Sequence, residues 1–366
     1  MIYLDNAATT KPSRRAMRVA KEAMENDWLN PSSLYKPSVQ TSQKIKQARA
    51  DIAKLIGFEP GQITFTSGST EANNMVIWDV WDKIYLSATE HDSVYNTACQ
   101  VRCELIPVTE KGIMSFDALE EKLANEEKGA RILVSAMAVN NEIGSIMDIN
   151  TLSKICKKYK ATLHVDATQC MGKIDYNYKL ADIITASAHK FHGLKGCGFI
   201  ASKVKLSPYL IGGHQEDGRR AGTENTVGIL SMVEALKECY ENIDENYGYV
   251  LALKQAMMDE LDTLEDIRYN SNKFNPYVLN VSFKNTDAES LLMLLDLRGI
   301  CVSSGSACNS KATKVSRILQ AIKVPDDYIY GTLRISFSAD NTRDEVVTAA
   351  KAIVDVVNQN RRVRIR

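Results

Sequence analysis

The stretch Thr162-Leu-His-Val-Asp166-Ala-Thr-Gln169, followed by Ala181-Asp-Ile-Ile-Thr-Ala-Ser187-Ala-His189-Lys190-Phe-His-Gly193, decides how the rest of the chain is read. It holds two apolar runs, 162–165 and 182–186, each as long as a buried parallel strand and each ending in polar residues. Ligands of open α/β sheets gather beyond the carboxyl ends of the strands. Asp166 ends the first run with Gln169 just beyond it, and Ser187, His189 and Lys190 close the second. Alone, the lysine reads as a surface residue and the aspartate as a helix cap. Together, at neighbouring strand ends, they suit pyridoxal phosphate. That cofactor needs a lysine for its Schiff base and an acid to keep the pyridine nitrogen protonated.

The chain has 366 residues, enough for two domains and a large core. Its apolar and charged fractions, 45% and 25%, are those of an ordinary soluble protein. Forty-five basic residues balance forty-five acidic ones, so no overall field selects nucleic acid or an anionic membrane as partner. The basic tail Arg361, Arg362, Arg364, Arg366 reads as a solvated terminus. The first residues lack the basic and apolar regions of a signal peptide, and no apolar run is long enough to span a membrane. Eight cysteines are scattered without a CxxC or paired metal spacing, so no metal site is expected. Cys99 and Cys103 are spaced for one helical face, but two thiols do not make a zinc site. The expectation is a cytoplasmic protein whose thiols are mostly small buried apolar groups.

Outward from the central stretch, 131–134, 83–86, 62–66 and 198–201 read as further strands of a doubly wound sheet. Ser67-Gly68-Ser69-Thr70-Glu71 turns a strand into a helix, where free backbone N–H groups attract phosphate; an ordinary Ser/Thr cap explains the same residues. His91 follows the strand 83–86 and is placed to lie on an aromatic ring, to move protons, or simply to face solvent. Asn140-Asn141-Glu142 puts amides at the same sheet edge. Thr223, after Arg219-Arg220-Ala221-Gly222, is a candidate helix cap and second phosphate contact. The pattern then becomes strand, helix, strand over 278–283, 288–297 and 301–303, where a smaller domain is expected. Ser303-Ser304-Gly305-Ser306-Ala307-Cys308 reads as a loop, with Cys308 a candidate reactive thiol. Arg334 interrupts the apolar run 333–337; buried there, it needs either a substrate carboxylate or a structural aspartate.

Tyr-Leu-Asp-Asn-Ala-Ala-Thr-Thr at 3–10, Ser-Gly-Ser-Thr-Glu-Ala-Asn-Asn at 67–74, Asn-Asn-Glu-Ile-Gly at 140–144 and His-Val-Asp-Ala-Thr-Gln at 164–169 occur in order. Ser-Ala-His-Lys at 187–190, Arg-Ala-Gly-Thr-Glu-Asn at 220–225 and Ser-Ser-Gly-Ser-Ala-Cys at 303–308 follow. The set resembles the cysteine desulfurases of NifS/IscS type, a branch of the class V aminotransferases with the fold-type I architecture of pyridoxal-phosphate enzymes. The resemblance implies a large, mostly parallel sheet domain over residues 13–247, with 1–12 and 248–366 forming a smaller α/β domain. It implies Lys190 as the Schiff-base lysine, Asp166 on the pyridine nitrogen, His91 on the ring and Gln169 at the phenolic oxygen. Ser69, Thr70, Ser187 and His189 would hold the phosphate, with Thr223 reaching the site of the other subunit of a homodimer. Asn141 would touch cofactor and substrate, Arg334 would hold the substrate carboxylate, and Cys308 would take sulfur from L-cysteine for an acceptor protein in iron–sulfur cluster assembly or thiolation.

The chain departs from the family pattern at His214, where a third glycine is usual, at Tyr35 in place of a histidine, and at Leu194 in place of a proline. It also lacks the second arginine often found a few residues beyond Arg334, carrying Ser336-Phe337-Ser338-Ala339-Asp340 instead. These changes bear on the sulfur acceptor and on substrate affinity. The competing expectations are a pyridoxal-phosphate lyase or aminotransferase, including a selenocysteine lyase, that does not use Cys308, and a non-catalytic sulfur carrier.

Overall fold

A computed structural model describes residues 1–271, 275–304 and 315–364. Its twelve strands are β1 Ile2–Tyr3, β2 Ile63–Thr66, β3 Lys83–Ser87, β4 Cys103–Ile106, β5 Ile132–Met137, β6 Thr162–Asp166, β7 Ile183–Ser187, β8 Gly198–Ser202, β9 Ile267–Tyr269, β10 Val278–Phe283, β11 Ile300–Cys301 and β12 Thr332–Ser336. Seven of them form the large sheet, in the order β2-β8-β7-β6-β5-β3-β4. All neighbours pair in parallel except β8, which runs antiparallel to both β2 and β7.

The strands are apolar on both faces, as a sheet covered by helices on both sides requires. Ile84, Leu86, Leu133 and Ile183 pack into one buried cluster with Ala72, Val76 and Val94 of the helices Ser69–Ile77 and Asp92–Ala98. Their alternates Tyr85, Val134 and Ile184 join the larger core on the other face. The helix Arg14–Asn26 is capped by Ser13, whose side chain accepts from the Ala16 N–H, and it buries Ala16, Ala20 and Ala23. The helix Lys36–Ile56 stops at Gly57, whose φ of 73° is the left-handed conformation that glycine adopts without strain.

The second unit is an antiparallel sheet, β12-β10-β9, flanked by the helices Ile243–Leu261, Ala288–Asp296 and Arg343–Arg364. The amino terminus belongs with it spatially. β1 pairs in parallel with β11, and Asp5 bridges to Ser336.

Several elements differ from their sequence reading. Cys103 opens strand β4 while Cys99 ends the preceding helix, so the two do not share a helical face. Strand β5 runs on to Met137, since Ser135 and Ala136 are small enough to be buried in the sheet. The helix after 222 is capped by Asn225, which accepts from the Gly228 N–H, and not by Thr223. The helices Phe116–Ala124 and Ile149–Tyr159 and the strands β4 and β9 had no counterpart in the sequence reading.

Candidate active site

Six strands deliver their carboxyl ends to one edge of the large sheet: β2, β3, β4, β5, β6 and β7. A cavity of about 190 Å³ opens there. Ser69, Thr70, His91, Asn141, Asp166, Gln169, His189, Lys190 and Arg334 all line it, although they are spread over 266 positions of sequence. Ala7, Ala8, Met137 and Thr168 complete the wall.

Asp166 ends β6 with its carboxylate buried. Oδ2 accepts from Asn73 Nδ2 at 2.9 Å and Oδ1 from the Thr168 N–H at 2.9 Å. Asn73 is fully used, since Nδ2 also donates to Ser93 Oγ and Oδ1 accepts from Thr185 Oγ1. Asp166 forms no ion pair among the described residues, so a buried carboxylate faces the cavity with neutral donors alone. Its neighbour Glu90 is completely buried, and neither of its carboxyl oxygens has a hydrogen-bond partner. Burial, reinforced by the charge of Asp166, pushes the Glu90 pKa well above the carboxylate range.

Lys190 lies in the single 3₁₀ turn that follows β7. Its Nζ donates to the carbonyls of Ala7 and Ala8, each at 2.7 Å, so the amino-terminal loop seats the amine. Thr10 and His192 lock that loop to the turn. The Thr10 N–H donates to the His189 carbonyl, and the His192 N–H donates to Thr10 Oγ1.

His91 caps the helix Asp92–Ala98. Its Nδ1 accepts from the Ser93 N–H at 3.1 Å, which assigns the ring proton to Nε2. Burial holds His91 below its ordinary pKa and takes His189 down to about 4, so both rings are neutral at pH 7. His189 Nδ1 stands 3.1 Å from Thr9 Oγ1.

Gly68, with φ 152°, begins the helix Ser69–Ile77. A Cβ on Gly198 would come within 2.7 Å of the Gly68 Cα, so glycine at both places allows the helix start to reach the sheet edge. The first-turn N–H groups of Ser69 and Thr70 have no intrahelical acceptor and lie at the cavity. The Ser187 hydroxyl stands just behind them, against Gly68.

Asn140 holds the loop that carries Asn141. Its Oδ1 accepts from the N–H groups of Glu142 and Ile143, and its Nδ2 donates to the Thr89 carbonyl. Arg334 comes from β12 of the second sheet and is 1% exposed. Its Nη2 donates to Asp5 Oδ1 at 2.7 Å and its Nη1 to the Asn141 carbonyl at 3.1 Å. The structural aspartate left open by the sequence is thus Asp5.

Thr223 is exposed and lies outside this cavity, and Cys308 lies outside the described residues. The segments flanking Cys308 meet the site: Ser303 pairs with the Arg334 backbone, and Arg317 donates to the Ala88 and Glu90 carbonyls beside His91. Sequence reasoning missed Asn73, Glu90, Thr168 and Asp5. Asn73 had a usable signal, three residues after Thr70 and so on the same helix face. Burial of Glu90 between a strand end and a histidine leaves no such trace.

The atoms at the cavity fit a flat cofactor with a cationic ring nitrogen and an anionic tail. Asn141 Oδ1, Thr168 Oγ1 and Arg334 Nε are buried there without a hydrogen-bond partner, Asp166 lacks a cation, and a helix start offers free donors.

The profile of the class-V aminotransferases matches residues 2–348, and the chain belongs to that family. Within it, the similarity extends over whole chains. The cysteine desulfurase IscS of Dictyoglomus turgidum is 36% identical, over 94% of this chain and 91% of its own. The protein of the same name from Methanosarcina thermophila is 33% identical over 98% and 93%. The crystal structure of a NifS-like protein from Rickettsia africae superposes with a TM-score of 0.91 at 34% identity, covering 98% of this chain and 99% of that one.

Proposed function

We propose that the protein is a cysteine desulfurase that converts L-cysteine to L-alanine and leaves the sulfur as a persulfide on Cys308. The observation that carries this reading is the buried Asp166 carboxylate, without a cation, lining one cavity with the Lys190 amine. Bound pyridoxal phosphate would supply a carbonyl for the substrate amine and a cationic ring that withdraws electrons from Cα.

The chain's own residues do the rest. Asp166 keeps a proton on the ring nitrogen, and the neutral His91 ring covers the ring face. Ser69, Thr70, Ser187 and His189 hold the phosphate, with Thr223 arriving from the second subunit of a homodimer. Arg334 and Asn141 orient the substrate carboxylate. Lys190, released from the Ala7 and Ala8 carbonyls, takes the Cα proton. The Cys308 thiolate attacks the substrate sulfur, an S–S bond forms as the Cβ–S bond breaks, and the departing electron pair is protonated at carbon to give alanine.

Residues 13–247 form the cofactor-binding unit, with 1–12 and 248–366 as the smaller one. The persulfide passes to an acceptor protein in the cytoplasm, serving iron–sulfur cluster assembly or thiolation. Alanine and persulfide-bearing peptides measured after incubation with cysteine test this reading. Wild type should give both, with the extra sulfur on Cys308, while Cys308→Ser should keep the cofactor and give neither. Wild-type alanine formation by Cys308→Ser would move the protein to the lyase or aminotransferase reading.

A further inference from the structure

Behind the cavity wall lies a lysine that the chemistry above does not use. Lys173 is 7% exposed and makes no ion pair among the described residues. Its Nζ donates to Gln169 Oε1 at 3.4 Å and lies 5.9 Å from the centre of the Tyr277 ring. The titratable groups around it include Cys170 and Cys239, whose thiols burial pushes up to about 12, His189 and His192, whose imidazoles burial and then the Lys173 charge help to hold below the ordinary pKa, and Arg334, a like charge. Burying an ammonium without a carboxylate is costly, and burial pulls its pKa down to about 8.

The other end of Gln169 is also spoken for, since Nε2 donates to the Ala7 carbonyl at 2.8 Å. A carbonyl can only accept and an ammonium can only donate. Turning the amide over would set oxygen against the Ala7 oxygen and N–H against the Lys173 ammonium. The two partners therefore allow one orientation. In it Nε2, beside Ala7 on the cavity wall, keeps its second proton for a ligand.

We propose that Lys173 is a positioning residue that locks the Gln169 amide with its N–H edge toward the cavity, so that the site offers a donor to an anionic ligand oxygen. This rests on the proposed function, in which that oxygen is the phenolic oxygen of pyridoxal phosphate. Without the lock the amide is free to present its carbonyl instead, which disfavours the anion.

The test uses holoenzyme reconstituted with pyridoxal phosphate and reads the pH midpoint of its visible absorption change. Lys173→Met should raise the midpoint by about one pH unit, the worth of one hydrogen bond to a charged oxygen. Lys173→Arg, which keeps a donor for Oε1, should restore it. Gln169→Ala should raise the midpoint by a similar amount, and adding Lys173→Met to Gln169→Ala should move it no further. An unchanged midpoint in Lys173→Met overturns the lock, as does the same shift in both backgrounds, which would mark a direct charge effect. If Lys173→Met does not fold, an unshifted Gln169→Ala overturns the lock by itself. A wild type that binds no pyridoxal phosphate overturns the proposed function instead, whatever Lys173 does.

Discussion

Arg334 Nη2 lies 2.7 Å from Asp5 Oδ1, so the guanidinium at the cavity wall is already neutralised by the amino-terminal loop. The arginine side chain is 2% exposed and the aspartate 17%, which leaves the pair sheltered from solvent. With Nη1 on the Asn141 carbonyl, the fork is oriented before any substrate arrives. Asp5 stabilises the arginine and, on the proposed role of Arg334, would compete with a substrate carboxylate. Arg334→Lys, which loses the planar fork, should raise KM for cysteine by about tenfold or more. Asp5→Asn should lower KM while costing about 1–3 kcal/mol of apoprotein stability in urea, because it leaves a buried charge less compensated. A raised KM in Asp5→Asn would contradict the competition.

Lys173 makes stability depend on pH in a defined window. Its pKa falls from 10.5 unfolded to about 8 folded, so between those values the unfolded chain binds more protons and stability rises with pH. The buried Lys254 has a pKa of about 8 and behaves alike, so the difference between wild type and Lys173→Met isolates Lys173. Wild-type apoprotein should gain up to about 3 kcal/mol on that variant from pH 8 to pH 10.5. Parallel curves in urea titrations would contradict the burial of a charged amine.

His91 and His189 should both resist protonation more than a free imidazole does. Burial lowers both, so the His189 imidazole resonances should not titrate between pH 6 and pH 8 and those of His91 should titrate below the ordinary histidine midpoint. Below pH 6.5 the unfolded chain binds the proton that the folded ring resists, and stability falls with acidification toward pH 4. A resonance that titrates near pH 6.5 and disappears in His91→Gln would contradict the assigned neutral, Nε2-protonated ring.

Arg317 links the segment after position 314 to the His91 strand end. It donates to the Ala88 and Glu90 carbonyls, and its guanidinium carbon lies 3.8 Å from the centre of the Tyr95 ring. Ser316 Oγ beside it donates to Glu142 Oε2 at 2.5 Å. Arg317→Met should leave the cofactor spectrum intact and slow alanine formation by about tenfold, the worth of one or two charged hydrogen bonds. Unchanged turnover would show that these contacts only hold the fold.

Much of this site was legible because its chemistry sits where strands end. Asp166, Ser187 and Lys190 follow apolar runs whose length alone marks buried strands, and the sheet brings those ends together. What was not legible is long-range pairing. The sequence offered Arg334 an aspartate or a substrate, and it is the bridge between Asp5 and Ser336 of β12 that places Asp5 within reach, 329 positions away. Strand β4 was obscured because its edge position leaves Cys103, Glu104 and Leu105 partly exposed, which blurs the apolar run. The Thr223 hydroxyl suits a helix cap as well as a phosphate contact, but the chain enters the helix two residues later, at Asn225.

The most direct measurement is borohydride reduction of the protein reconstituted with pyridoxal phosphate, followed by peptide mass mapping. The visible absorption should disappear, and the reduced pyridoxyl group should be found on the peptide containing Lys190. A protein that stays colourless with added cofactor, or a pyridoxyl group on any other lysine, would contradict this.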